Sequence, residues 1–169
     1  TLEKIPQPLV DRSPSVALAF TYLGDAVWEL YARQHMILKR VTSSETASAS
    51  GRAIRPQDGV SKGWCSAKAM HAHLNRLLEK DFMTDEELAV LKWGRDFGHE
   101  SRSGHKGDIH RDASALEALV AYLYLFDNNR LHELLEATGM TFCGKPLSGL
   151  MGVQDTVLEA MDLLRVEAT

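Results

Sequence analysis

Cysteine is nearly missing from this chain: Cys65 and Cys143 are the only two. Two thiols are too few for a disulfide framework or a thiolate zinc site, so a reducing compartment is the simpler reading. No apolar run approaches the roughly 20 residues a bilayer span needs, which excludes a transmembrane helix. No basic-then-apolar segment marks a secretory signal. The P-loop, the GxGxxG fingerprint, the HExxH zinc motif and the GxSxG elbow are also missing, and with them the commonest nucleotide, metalloprotease and serine-hydrolase readings. There is no convincing strand, no internal repeat and no low-complexity tract.

The 169 residues are 44% hydrophobic and 25% charged, an ordinary balance for one soluble domain with a sizeable core. A net charge of -4 argues against a nucleic-acid binder, but the distribution argues back. From Arg33 to Lys80 there are nine Lys/Arg against three Asp/Glu. Such a split can place a basic face beside an acidic one. A solvated helix surface rich in Lys and Arg accounts for it equally well.

The hydrophobic pattern is helical throughout and predicts an all-α fold of six to seven helices. Val16 to Leu38 is nearly free of breakers and apolar on more than one face, as in a central helix. Thr42-Ser43-Ser44-Glu45 fits a capping box opening a short helix through Ala53, and Arg55 to Gly63 reads as a loop. Ser66 to Lys80 forms the next helix. Thr84-Asp85-Glu86-Glu87 is a second capping box, for a helix to about Phe97. Gly98 to Arg111 reads as a loop rich in glycine, serine and histidine. Asp112 then caps a strongly apolar helix to about Asp127, and Asn128 to Thr138 is a further helix stopped by Gly139. Residues 1–138 make the main domain. Residues 139–169 make an extension whose short amphipathic helix packs on it.

Two acids stand out. Asp25 lies mid-helix in Tyr22-Leu23-Gly24-Asp25-Ala26-Val27, and Glu117 in Ala115-Leu116-Glu117-Ala118-Leu119-Val120. A carboxylate in such company is costly unless it finds a partner or a cation. Two on separate helices can converge on Mg²⁺, which takes a few carboxylates plus waters and phosphate oxygens. Each could equally cap a helix or pair with an Arg. Gly24 costs about 1 kcal/mol against Ala inside a helix. It is tolerated where a helix partner or a ligand comes close.

Leu18-Ala19-Phe20-Thr21-Tyr22-Leu23-Gly24-Asp25-Ala26-Val27-Trp28-Glu29 resembles the signature helix of the ribonuclease III family. Ala115 to Leu125 resembles its second acidic helix. Ser66-Ala67-Lys68-Ala69, Glu86 to Lys92 and Gly94-Arg95 resemble blocks of the Mini-III branch, which lacks a double-stranded-RNA-binding domain. The resemblance implies a homodimeric, Mg²⁺-dependent endoribonuclease that cleaves double-stranded RNA, with structured ribosomal RNA precursor as substrate. It makes Asp25 and Glu117 both catalytic residues and metal ligands. Two further acids of the wider family are replaced, by Thr21 and Ser114, which puts a full two-metal site in doubt. The stretch Arg55 to Trp64 looks like an insertion, and the tail from Met140 has no counterpart. The compartment expected is the cytoplasm of a bacterium, or a plastid or other organelle of a eukaryote.

The expected RNA contacts are Lys39, Arg40, Arg52, Arg55, Lys62, Lys68, Lys106 and Arg111. His110, beside Arg111, is a further groove candidate, and His71 and His73 read as surface residues. Glu29, one turn after Asp25, is expected to pair with an Arg. Phe20 and Tyr22 are the expected dimer seam. The rival reading is an inactive scaffold of the same fold that binds RNA or the ribosome. Thr21 and Ser114 speak for it, and the retained Asp25 and Glu117 against it.

Overall fold

The computed structural model describes residues 13–42, 60–98 and 107–141. Over these residues the chain is helical, with no strand. Five α-helices follow in order: α1 (Pro14–Thr42), α2 (Ala67–Glu79), α3 (Asp85–Phe97), α4 (Asp108–Phe126) and α5 (Asn128–Ala137). A short π-helix, Ser61–Cys65, precedes α2. None of the described helices is long and apolar enough to cross a membrane.

Local chemistry sets several boundaries as the sequence predicts. Ser66 caps α2 by accepting from the Ala69 N–H. Thr84 and Glu87 form the reciprocal capping box of α3. Asp127 accepts from the Arg130 N–H to start α5, and Gly139, at φ 90°, ends that turn in a conformation glycine takes without strain.

Three boundaries differ from expectation. α1, read from the sequence as breaker-free to Leu38, runs on to Thr42. Ser61 to Gly63, expected in a loop, belong to the π-helix. α4 begins at Asp108, four residues before the expected cap at Asp112. Asp112 is a buried interior residue, held by Arg95 of α3 and by His71 of α2, whose Nδ1 lies 2.6 Å from Oδ2. Its partners stand 17 and 41 residues away in sequence, so tertiary pairing and not capping accounts for this acid. The expected short helix through Ala53, most of the loop before α4 and nearly all of the extension lie outside the described residues.

α4 is the central helix and touches each of the other four. A helix surrounded this way must be apolar nearly all round, and from Asp112 to Leu123 every residue is buried except Glu117. Leu116 and Leu119 are fully buried, as are Trp28 of α1 and Leu131, Leu134 and Leu135 of α5. Each such leucine contributes about 2 kcal/mol of transfer free energy. α1 and α4 touch where Gly24 meets the backbone of Glu117. A buried ion pair ties α3 to α5, with Arg130 Nε 2.7 Å from Glu87 Oε1 and the guanidinium stacked over Phe82 at 4.1 Å.

Candidate active site

The site begins where α1 crosses α4. A Cβ placed on Gly24 would land on the carbonyl oxygen of Glu117, so the two backbones touch. Only glycine allows this approach, which explains a residue unfavourable for helix propensity in the middle of a 29-residue helix. The contact brings the backbone next to Asp25 against that of Glu117. Glu117 is half-buried and is the one opening to solvent in the central stretch of α4.

Asp25 is exposed, contrary to the buried placement that its apolar neighbours suggest. Its helix buries Val27 and Trp28 but leaves Tyr22, Leu30 and Ile37 largely in solvent, so the apolar pattern of α1 serves two faces. Partial burial of the Asp25 carboxyl and the negative charge of Glu29 both push its pKa above the ordinary carboxylate value. A cation placed there would relieve that repulsion. Glu29 is engaged as expected, with Arg33 Nη2 2.5 Å from its Oε1.

Thr21 and Ser114 are both buried. The Thr21 hydroxyl donates to the Leu18 carbonyl at 2.9 Å. The C-terminal half of α3 covers both positions: a Cβ on Gly94 would crowd Ser114, and one on Gly98 would crowd the Thr21 methyl. Among the described residues no group of three or more His, Cys, Asp or Glu is placed to hold a metal ion. Two carboxylates, Asp25 and Glu117, could hold a Mg²⁺ ion only if it took its other ligands from water and substrate phosphate.

The candidate RNA contacts are scattered. Lys62 on the π-helix and Lys68 in the first turn of α2 are exposed. Cys65 lies in the same junction, and burial, then the charges of Glu29 and Asp25, raise its thiol, whose pKa is pushed up to about 11. Arg111 sits on α4, not in a loop, with Nη2 3.3 Å from Asp96 Oδ1, and His110 beside it is exposed. Lys39 and Arg40 lie in the last turns of α1, and their side chains are outside the description. Arg52, Arg55 and Lys106 lie outside the described residues.

Neither helical histidine of α2 is a free surface group. His73 is buried and stacks on Trp64, with ring centroids 4.4 Å apart and planes 9° from parallel. His71 holds Asp112. Their alternate spacing hides this, because Trp64 and Asp112 come from other elements. Of the expected seam residues, Phe20 packs edge-on against Trp93 at 5.3 Å and is partly committed to the subunit core, whereas Tyr22 is 85% exposed.

Comparison with known proteins matches the ribonuclease III domain to residues 18–128. The chain belongs to the ribonuclease III family. It is 32% identical to the Mini-ribonuclease 3 of Staphylococcus aureus over 71% of this chain and 81% of that protein. To the Mini-ribonuclease 3 of Gloeobacter violaceus it is 33% identical over 76% and 84%. A crystal structure of a Fusobacterium nucleatum protein shares the fold at a TM-score of 0.52 and 18% identity, covering 73% of this chain and 88% of that one. As a member of the family the chain is an endoribonuclease acting on double-stranded RNA.

Proposed function

We propose that Asp25 and Glu117 are the catalytic metal ligands of a Mini-III-like ribonuclease working on structured RNA, with ribosomal RNA precursor as the substrate class. The observation that carries this is the Gly24–Glu117 backbone contact, which brings the segment of α1 bearing Asp25 against Glu117, the one residue from Asp112 to Leu123 that is not buried. Mg²⁺, when bound, supplies activation of water and neutralisation of charge on the scissile phosphate. Asp25 and Glu117 fix its position from two rigid helices, and Glu29 adds negative potential one turn away. Products carry 3′-hydroxyl and 5′-phosphate ends.

RNA capture is a separate task. The two acids offer no base recognition, so the duplex is held by its phosphates and 2′-hydroxyls. Lys62 and Lys68 are the contacts we favour, because both are exposed and their segment faces Glu29 across a groove. A second copy of the chain docks on α1, with Tyr22 as anchor, since a tyrosine 85% exposed on a helix that also exposes Leu30 and Ile37 suits a partner contact. Two sites then cut the two strands. The compartment we propose is bacterial cytoplasm or, in a eukaryote, a plastid or other organelle.

The direct test is incubation of the purified protein with a generic RNA duplex in Mg²⁺ and then in excess chelator. Cleavage that depends on Mg²⁺ supports the reading. Duplex binding without cleavage in any divalent metal would favour the scaffold that Thr21 and Ser114 suggest.

A further inference from the structure

The π-helix Ser61–Cys65 does not lie flush on α1. A groove of about 440 Å³ separates them, lined by Glu29, Arg33, Met36 and Ile37 on one side and by Val60, Ser61 and Cys65 on the other. Trp64 bridges the gap. Its carbonyl accepts the indole N–H of the fully buried Trp28 at 3.0 Å. Its ring stacks on His73 and meets the edge of His35 at 4.8 Å. His73 in turn donates from Nε2 to the Gly63 carbonyl at 3.2 Å, gripping the same turn from the α2 side. Single-turn π segments have poor intrinsic stability and persist where tertiary contacts hold them. Here the contacts come from α1 and α2: the Trp64 ring packs against His35 and His73, while the backbone carbonyls of Gly63 and Trp64 accept from His73 and Trp28.

We propose that Trp64 is a positioning residue: it docks the π-helix between α1 and α2, across the groove from Glu29, so that the exposed Lys62, two residues before it, is held to receive an RNA phosphate. The proposal rests on the nuclease reading and adds a division of labour to it. Asp25 and Glu117 serve the chemical step, and the Trp64 clamp serves capture. The groove beneath the π-helix leaves room for the segment to move when the clamp is lost.

The test uses the full chain in a Cys143→Ser background, so that Cys65 is the sole thiol. Wild type, Lys62→Ala, Trp64→Ala, Trp64→Phe and the Trp64→Ala/Lys62→Ala double variant are compared. The readouts are duplex binding against salt, KM and kcat, thermal melting, and the rate at which a neutral maleimide labels Cys65. Trp64→Ala should raise KM several-fold with kcat within about twofold of wild type. It should lower the salt slope of binding by about one, as Lys62→Ala alone does. The double variant should be no worse than either single, because the two changes remove one interaction. Cys65 labelling should accelerate about tenfold as the thiol leaves its shielded place. Trp64→Phe keeps the stacking ring and should restore all of these values.

Additive losses in the double variant would overturn the proposal. So would a fall in kcat at unchanged KM, a neutral Lys62→Ala, or unchanged labelling of Cys65 in a folded Trp64→Ala protein. If Trp64→Ala does not melt cooperatively, Trp28→Phe decides instead, since it deletes the N–H that anchors the Trp64 carbonyl. It should give the same pattern at smaller size, and a wild-type profile would contradict the clamp. A wild type that cuts no duplex would reject the nuclease reading alone, while the binding and labelling measurements still decide the clamp.

Discussion

Gly24 of α1 rests against the backbone carbonyl of Glu117 of α4, so the two helices meet at the spot where the candidate acids stand. Gly24→Ala pits two effects against each other. Helix propensity favours Ala by about 1 kcal/mol. A methyl group driven onto a backbone carbonyl costs about 3 kcal/mol or more, because neither helix has a flexible end to yield. The variant should therefore melt lower than wild type and lose most of its cleavage as Asp25 and Glu117 move apart. A Gly24→Ala protein that melts higher and cuts normally would show that the helices do not touch there.

The exposed Tyr22 predicts an association defect without a folding defect. Tyr22→Asp removes no core contact, so monomer stability should stay within about 0.5 kcal/mol. Sedimentation should show wild-type dimers at micromolar concentration and Tyr22→Asp monomers. A wild type that sediments as a monomer, or a variant that still pairs, would contradict the seam.

His73 should make the fold acid-sensitive below pH 6.5. Burial among Trp28 and Trp64 holds its pKa below the ordinary value of 6.5, against a smaller opposing effect of the Gly63 hydrogen bond. The unfolded chain then takes up a proton that the folded chain refuses. Stability is full above about pH 6.5 and falls as the pH drops through the folded value. His73→Gln keeps a donor for Gly63 and removes the titration. Its melting temperature should change less between pH 7 and pH 5 than that of wild type. Parallel pH profiles for the two proteins would contradict the assignment.

Glu87 titrates with the same sign for a different reason. Burial pushes its carboxyl up, but the hydrogen bonds and charge of Arg130, with those from Thr84, outweigh this and hold its pKa below 4.5. Its stabilisation is present above that value and is lost as the pH falls through the folded pKa. Glu87→Gln keeps the capping box while stranding the Arg130 charge, and should cost about 3 kcal/mol at neutral pH. Denaturant melts at pH 7 and pH 3 should show a large deficit at the first and a small one at the second. Equal deficits would mean that the ion pair contributes little.

The sequence revealed what local chemistry decides. The Thr84–Glu87 capping box, the stop at Gly139 and the misplaced glycine at position 24 each announce themselves within a few residues. The all-helical fold followed from periodicity, and the order of the acidic blocks pointed to the family. Long-range partners stayed hidden. Asp112 has the form of an N-cap, and only the fold shows Arg95 and His71 converging on it from two other helices. His73 looks like a surface residue until Trp64 stacks on it. Asp25 looks buried because its neighbours are apolar, yet Tyr22, Leu30 and Ile37 of the same helix face outward. Pattern alone does not separate a core face from a docking face.

The most direct test of the central claim is cleavage by Glu117→Gln, measured together with duplex affinity and thermal stability. The substitution keeps shape and reach and removes one negative charge from a half-buried position. With one of two direct carboxylates gone, cleavage in Mg²⁺ should fall by about a hundredfold or more. Duplex affinity should hold or tighten slightly, since the Lys and Arg contacts remain and a repelling charge is gone. The melting temperature should stay near that of wild type. Unchanged cleavage by a folded Glu117→Gln protein would contradict the assignment, and so would a joint loss of stability, binding and cleavage.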